Sequence, residues 1–293
     1  MATAETCCSP LFLALALTVT ACGDDGSETN TDTIASSSTT EASGSEGSSS
    51  SSSGATETGG ESSTTSQGDS SSSESGATSN TVEVSGNAFN FGPTGGRVEG
   101  ATVTILEMPD RSTVTGEDGY FVFPDLDAGA EATFVFEAEG FPITYTKTFT
   151  LPEAGEAVER VTFQVPNDGM YDILAMVAQI EPDPETCQIS STVTRVGKSL
   201  YDEGAHGEEG ATISIDPPLP PEHGPIYFNA SVFPDHDLTE TSVDGGILYT
   251  NVPPGSYHIT ATKDGVDFES VYIECEADVL VNPSPPFGLQ ALE

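Results

Sequence analysis

The chain has no tryptophan, 7 basic residues against 47 acidic ones, and no long hydrophobic run. Each absence narrows what it can be. At a net charge of −40 it has no basic patch to neutralise phosphates, which argues against nucleic acid and anionic lipid head groups as partners. The acids are spread through the chain rather than gathered in a tail, a pattern that suits solubility, cation binding or a salty medium. The apolar stretch from Leu11 to Val19 falls well short of the ~20 residues that a membrane-spanning helix needs. Without tryptophan there is no indole platform for a sugar. The tyrosines and phenylalanines fall mostly on positions that alternate with polar residues, as core residues of strands do. Carbohydrate binding stays open on those terms. No Ser-His-Asp set, glycine-rich phosphate loop or Cys-His pair stands out.

What is present begins with an export signal. Leu11 to Val19, followed by the small residues Thr20 and Ala21, has the layout of a secretory leader. Val19-Thr20-Ala21-Cys22 resembles the bacterial lipobox, in which a small residue precedes a cysteine that is diacylated and becomes the new N-terminus. The resemblance implies a lipoprotein signal peptide over residues 1–21, lipidation at Cys22, and attachment to the membrane by lipid rather than by a span. Met1 to Pro10 departs from the pattern, with Glu5 and no Lys or Arg. Gly23 rather than Asp follows the cysteine, which favours the outer membrane or cell surface within the envelope. Residues 22–80 are almost wholly Ser, Thr, Gly, Ala and acids, with Ile34 the one large apolar residue. They cannot bury enough surface to offset chain entropy, so a disordered tether is expected, with a reach on the order of 40 Å.

Of five cysteines, Cys7 and Cys8 fall in the leader and Cys22 takes the lipid. Cys187 and Cys275 remain, and an exported chain is expected to pair them as a disulfide. Val271, Ile273 and Cys275 share one face by the period-two rule. The bond would link the first and last strands of one domain.

The rest of the chain contains an internal repeat. Gly100-Ala101-Thr102-Val103-Thr104-Ile105 is echoed by Gly210-Ala211-Thr212-Ile213-Ser214-Ile215. Asp118-Gly119 and Gly129 are echoed at the same spacing by Asp244-Gly245 and Gly255. The β-branched alternation reads as strands with one buried face, and Asp-Gly as a hairpin turn. At these residues the chain resembles the carboxypeptidase regulatory-like domains. That resemblance implies transthyretin-like β-sandwiches and a non-catalytic module of the kind found beside enzymes or in surface adhesion. The first copy covers residues 81–166. The second, over residues 187–293, carries an insertion from Asp216 to Glu240. Between them, over residues 167–186, Met170, Ile173, Leu174, Val177 and Ile180 recur at helical spacing. Asn167 or Asp168 can cap this short helix and Pro182 stops it. Its apolar stripe is expected to be core.

Three constellations bear on chemistry. His206-Gly207-Glu208-Glu209 matches the His-x-x-Glu of metallocarboxypeptidases, but a chain this acidic generates the pattern by chance. Pro254-Gly255-Ser256-Tyr257-His258-Ile259-Thr260 resembles the intradiol dioxygenase run, with Thr260 where that family has its second histidine. Tyr249, Tyr257 and His258 read better as strand residues. His223, Asp235, His236 and Asp237 in the insertion form a weak metal or calcium candidate without regular ligand spacing. No cofactor is implied. The expected molecule is all-β, with two consecutive antiparallel transthyretin-like sandwiches joined by a short helix and preceded by a disordered linker. Its expected role is a non-catalytic envelope lipoprotein that presents these modules to a protein, peptide or glycan. A degenerate metal-dependent enzyme of the dioxygenase-like type is the alternative.

Overall fold

A computed structural model describes residues 80–92, 95–199 and 206–293. The leader, Cys22 and nearly all of the tether lie outside the described residues. The fold is an all-β sandwich arrangement with one α-helix among those residues.

In the first repeat the strands are β1 (Thr81–Phe91), β2 (Thr102–Ile105), β3 (Met108–Val114), β4 (Tyr120–Asp127), β5 (Glu131–Glu137), β6 (Ile143–Thr150) and β7 (Ala157–Pro166). β1 lies between β4, antiparallel to it, and β7, parallel to it. The facing sheet runs β3-β2-β5-β6. Alternation does what period two demands: Val103 and Ile105 are buried and Thr102 and Thr104 are not. The core is aromatic, with Phe121, Phe134, Phe136 and Phe163 fully buried. The Phe136 and Phe163 rings lie 5.4 Å apart, a contact worth about 0.5–1.5 kcal/mol beyond the area it buries. β1 passes β7 so closely that a Cβ on Gly86 would sit 1.6 Å from the Val161 carbonyl oxygen.

The helix α1 spans Asp168–Ala178. The Asn167 side chain accepts from the Met170 N–H at 3.0 Å, and Gln179 closes the far end in a left-handed conformation. The expected apolar stripe is only partly core. Ala175 and Ala178 are the buried helix residues, and Ala178 joins Ile180, Ile226, Phe228 and Leu248 in a small cluster. Ile173, Met176 and Val177 are exposed. A helix lying close against strands needs short side chains at the contact, so the alanines take it.

The second repeat comprises β8 (Cys187–Thr194), β9 (Thr212–Asp216), β10 (Ile226–Phe228), β11 (Pro234–Asp235), β12 (Gly246–Val252), β13 (Gly255–Thr262), β14 (Val271–Cys275), β15 (Val279–Val281) and β16 (Leu289–Gln290). One sheet runs β11-β10-β12-β8-β15 and the other β14-β13-β9, and both reach β6. β15 pairs in parallel with β6 and with β8. β14 joins β6 through Tyr272 opposite Thr148. The second core takes in Val135 and Tyr145 from the first repeat, with Leu106 packed against it. The two sandwiches are therefore joined through β6, whose open edge β14 and β15 cover, and not by the helix alone. Period two shows which face of a strand is buried but not which strand crosses its edge. The sheets are also mixed, since β1–β7, β6–β15, β8–β15 and β8–β16 are parallel pairs.

Cys187 and Cys275 form the expected disulfide, with Cα atoms 5.7 Å apart and a sequence separation of 88. It ties β8 to β14. Two further strands follow β14, so the bond does not reach the last strand.

The repeated Asp-Gly turns are present but make no hairpin. β3 pairs with β2 and β4 with β1, so the turn at Asp118-Gly119 carries the chain from one sheet to the other. Gly119 has φ 70° and Gly245 φ 77°. A side chain on either would strike a carbonyl, that of Ala88 at 2.5 Å or Val193 at 2.2 Å. A threonine anchors each turn: the Ala101 N–H donates to Thr115 Oγ1 and the Ala211 N–H to Thr241 Oγ1, both at 2.9 Å. Asp118 accepts from the Tyr120 N–H and Asp244 from the Gly246 N–H.

Candidate functional site

The outward face of β14, β13 and β9 follows from alternation. Val271, Ile273 and Cys275 point to the core and leave Tyr272 and Glu274 outside. Tyr257 and Ile259 point inward, leaving Ser256, His258 and Thr260 outside. Ile213 and Ile215 do the same for Thr212, Ser214 and Asp216. The register then aligns five side chains in one row across both repeats. Thr133 lies opposite Thr148, Thr148 opposite Tyr272, Tyr272 opposite His258, and His258 opposite Asp216. Thr133 is itself fully buried, so the accessible row runs from Thr148 to Asp216 and, with strands about 4.8 Å apart, is on the order of 14 Å long.

The middle of the row is aromatic. Tyr272 is 61 % exposed and stacks on His258 with ring centroids 4.3 Å apart and planes 10° from parallel. His258 Nε2 is buried without a hydrogen-bond partner. One end is held by Glu107, which accepts from the Thr133 N–H and hydroxyl, both at 2.7 Å. The Thr133 and Thr148 hydroxyls lie 2.8 Å apart. Beside the row, Ser256 donates to Glu274 at 2.7 Å, and the Ser214 and Thr260 hydroxyls meet at 2.7 Å.

β6 turns its other face away from the row. There Lys147 donates to the Phe287 carbonyl oxygen. Burial holds its amine below the usual lysine range, with Glu269 partly opposing. The Tyr145 hydroxyl donates to Glu276 at 2.9 Å, and burial and that carboxylate push its pKa up.

The residues singled out for chemistry are dispersed. The His223 ring pairs with the Thr250 carbonyl at 3.0 Å and His236 with that of Ala178 at 3.0 Å. Asp235 accepts from the Asp237 N–H in a local turn. Among the described residues no three His, Cys, Asp or Glu side chains gather into a metal-ligand set. Glu208 is paired with Lys263. Tyr249 is in the core, and Tyr257 faces inward with its hydroxyl on the Pro253 carbonyl. It thus points away from His258 and Thr260 on the outer face. Gly129, at φ 76°, turns β4 into β5, and Gly255 opens β13. Tyr272 is the residue that sequence reasoning passed over. Its signal was the same alternation that sent Val271, Ile273 and Cys275 inward.

Residues 83–166 match the family profile of the carboxypeptidase regulatory-like domain. No curated protein matches the sequence. Among solved structures, the chain is similar over 72 % of its length to the Bacillus anthracis TIE protein, at 14 % identity and a TM-score of 0.23, and spans 34 % of that protein. It is similar over 72 % of its length to GBS52, the minor pilin of Streptococcus agalactiae, at 10 % identity and a TM-score of 0.23, covering 96 % of that chain. A third similarity is to the shaft pilin spaA of Lactobacillus rhamnosus GG, at 13 % identity and a TM-score of 0.21, over 70 % of this chain and 99 % of the pilin.

Proposed function

We propose that this chain is a non-catalytic binding module of the cell envelope, held by lipid at Cys22 and presenting the outer face that its two repeats share. The observation that carries the reading is the row from Thr148 to Asp216, aligned in register across the β6–β14 junction. Neither repeat forms it alone. A face assembled from two domains, with an exposed tyrosine at its centre, suits an extended ligand. The dispersal of Tyr249, Tyr257 and His258 removes support from the dioxygenase-like alternative. Among the described residues no helix is long and apolar enough to cross a membrane.

The anchoring half is tested by feeding cells a labelled fatty acid. The wild type should take up label and stay with the membrane fraction, whereas Cys22→Ser should lose both. Equal labelling of the two would remove the lipid anchor from this reading.

A further inference from the structure

Resting on that binding-module reading, we infer that the row centred on Tyr272 and His258 takes a neutral polysaccharide chain. The hydrogen bonds already made within the row decide which partners it can accept. The Thr133 hydroxyl gives its one hydrogen to Glu107, so the 2.8 Å contact with Thr148 must be donated by Thr148. Thr148 then faces outward with lone pairs only. Ser256 likewise spends its hydrogen on Glu274. Asp216 and Glu274 add carboxylate oxygens, which only accept. The face is rich in acceptors and therefore wants a ligand rich in donors.

Sugar hydroxyls supply those donors without charge, and the exposed Tyr272 ring offers an apolar platform for the C–H face of a pyranose. Anionic sugars are disfavoured, because Glu107, Asp216 and Glu274 lie along the row while Lys147, the nearby cation, is on the opposite face of β6. A peptide is disfavoured on different grounds. β6, β13 and β14 each have strands on both sides, so this face offers a peptide backbone no ladder to join. The accessible length of the row, on the order of 14 Å, suits an oligosaccharide rather than a single sugar.

Isothermal titration calorimetry on the full chain tests the assignment. The probes are neutral oligosaccharides derived from cellulose, chitin and starch, uronate oligosaccharides from pectin, and oligolysine. At least one neutral probe should bind and the uronates should not. Tyr272→Ala should weaken that binding about tenfold or more, and Thr148→Val several-fold, each with melting temperature and circular dichroism unchanged. Tyr120→Ala, an exposed tyrosine on β4, should bind as the wild type does. Neutral sugar bound equally well by Tyr272→Ala overturns the site. Uronate or oligolysine bound best, and lost in Tyr272→Ala, overturns the ligand class and leaves the binding module standing. No probe bound, with capture of envelope components unchanged in Tyr272→Ala, overturns both.

Discussion

Asp244 shows how a residue in a repeated motif can carry different energetics in its two copies. Both Asp118 and Asp244 accept from a backbone N–H two residues on. Asp118 is exposed, but Asp244 is half-buried, and that burial holds its carboxyl above the ordinary value against the pull of the Gly246 N–H and of His206. A raised carboxyl pKa means that the folded state holds this proton more tightly than the unfolded chain does. The charged form therefore costs stability at neutral pH. That cost is relieved as pH falls through the folded value towards the unfolded 3.8. Asp244→Asn removes the titration. Urea denaturation of both proteins across this range should show the wild type gaining on the variant as pH falls. A constant difference would mean that burial does not govern this carboxyl.

At the scale of elements, the disulfide and β6 hold the second repeat from different directions. Cys187–Cys275 ties the strand that opens the repeat to the strand that meets β6. Closing a loop of this size is worth about 4–5 kcal/mol in the chain-entropy model and less in many real cases. Replacing both cysteines by serine should therefore lower unfolding free energy by about 2–5 kcal/mol, measured by denaturant titration. A loss confined to a few tenths would mean that β6 already does the constraining. Much of this level was legible in the sequence. Alternation placed the inward residues of β2, β9 and β14, leftover cysteines gave the bond, and Asn167 marked the helix start. Pairing across edges was not legible. Asp118-Gly119 looks the same in sequence whether it closes a hairpin or changes sheets, because local φ requirements are shared by both. The helix stripe misled for a related reason: hydrophobic spacing cannot tell that alanines suit a close contact while Ile173 and Val177 stay in solvent.

At the scale of the whole molecule, a shared sheet and core residues lent by one repeat to the other make independent folding of the second repeat unfavourable. Val135 and Tyr145 belong to β5 and β6 but sit in the second core. Scanning calorimetry should give one transition, with calorimetric and van't Hoff enthalpies equal. Two separated transitions would show that the β6 junction is weaker than either core. The candidate row was half legible at this scale. Each outward residue follows from its own strand, but their alignment depends on the Tyr272–Thr148 pairing, which joins segments more than a hundred positions apart.

The close approach at Gly86 has a mechanical side. β1 is the first described strand, so tension applied from the N-terminal side arrives at Thr81. It lies between β4 and β7 along most of its length. Tension along β1 must slide it past both neighbours and break many backbone hydrogen bonds together, rather than peel them one by one. The place where only a glycine fits between two strands is thus also where the domain resists being drawn out from its N-terminal side.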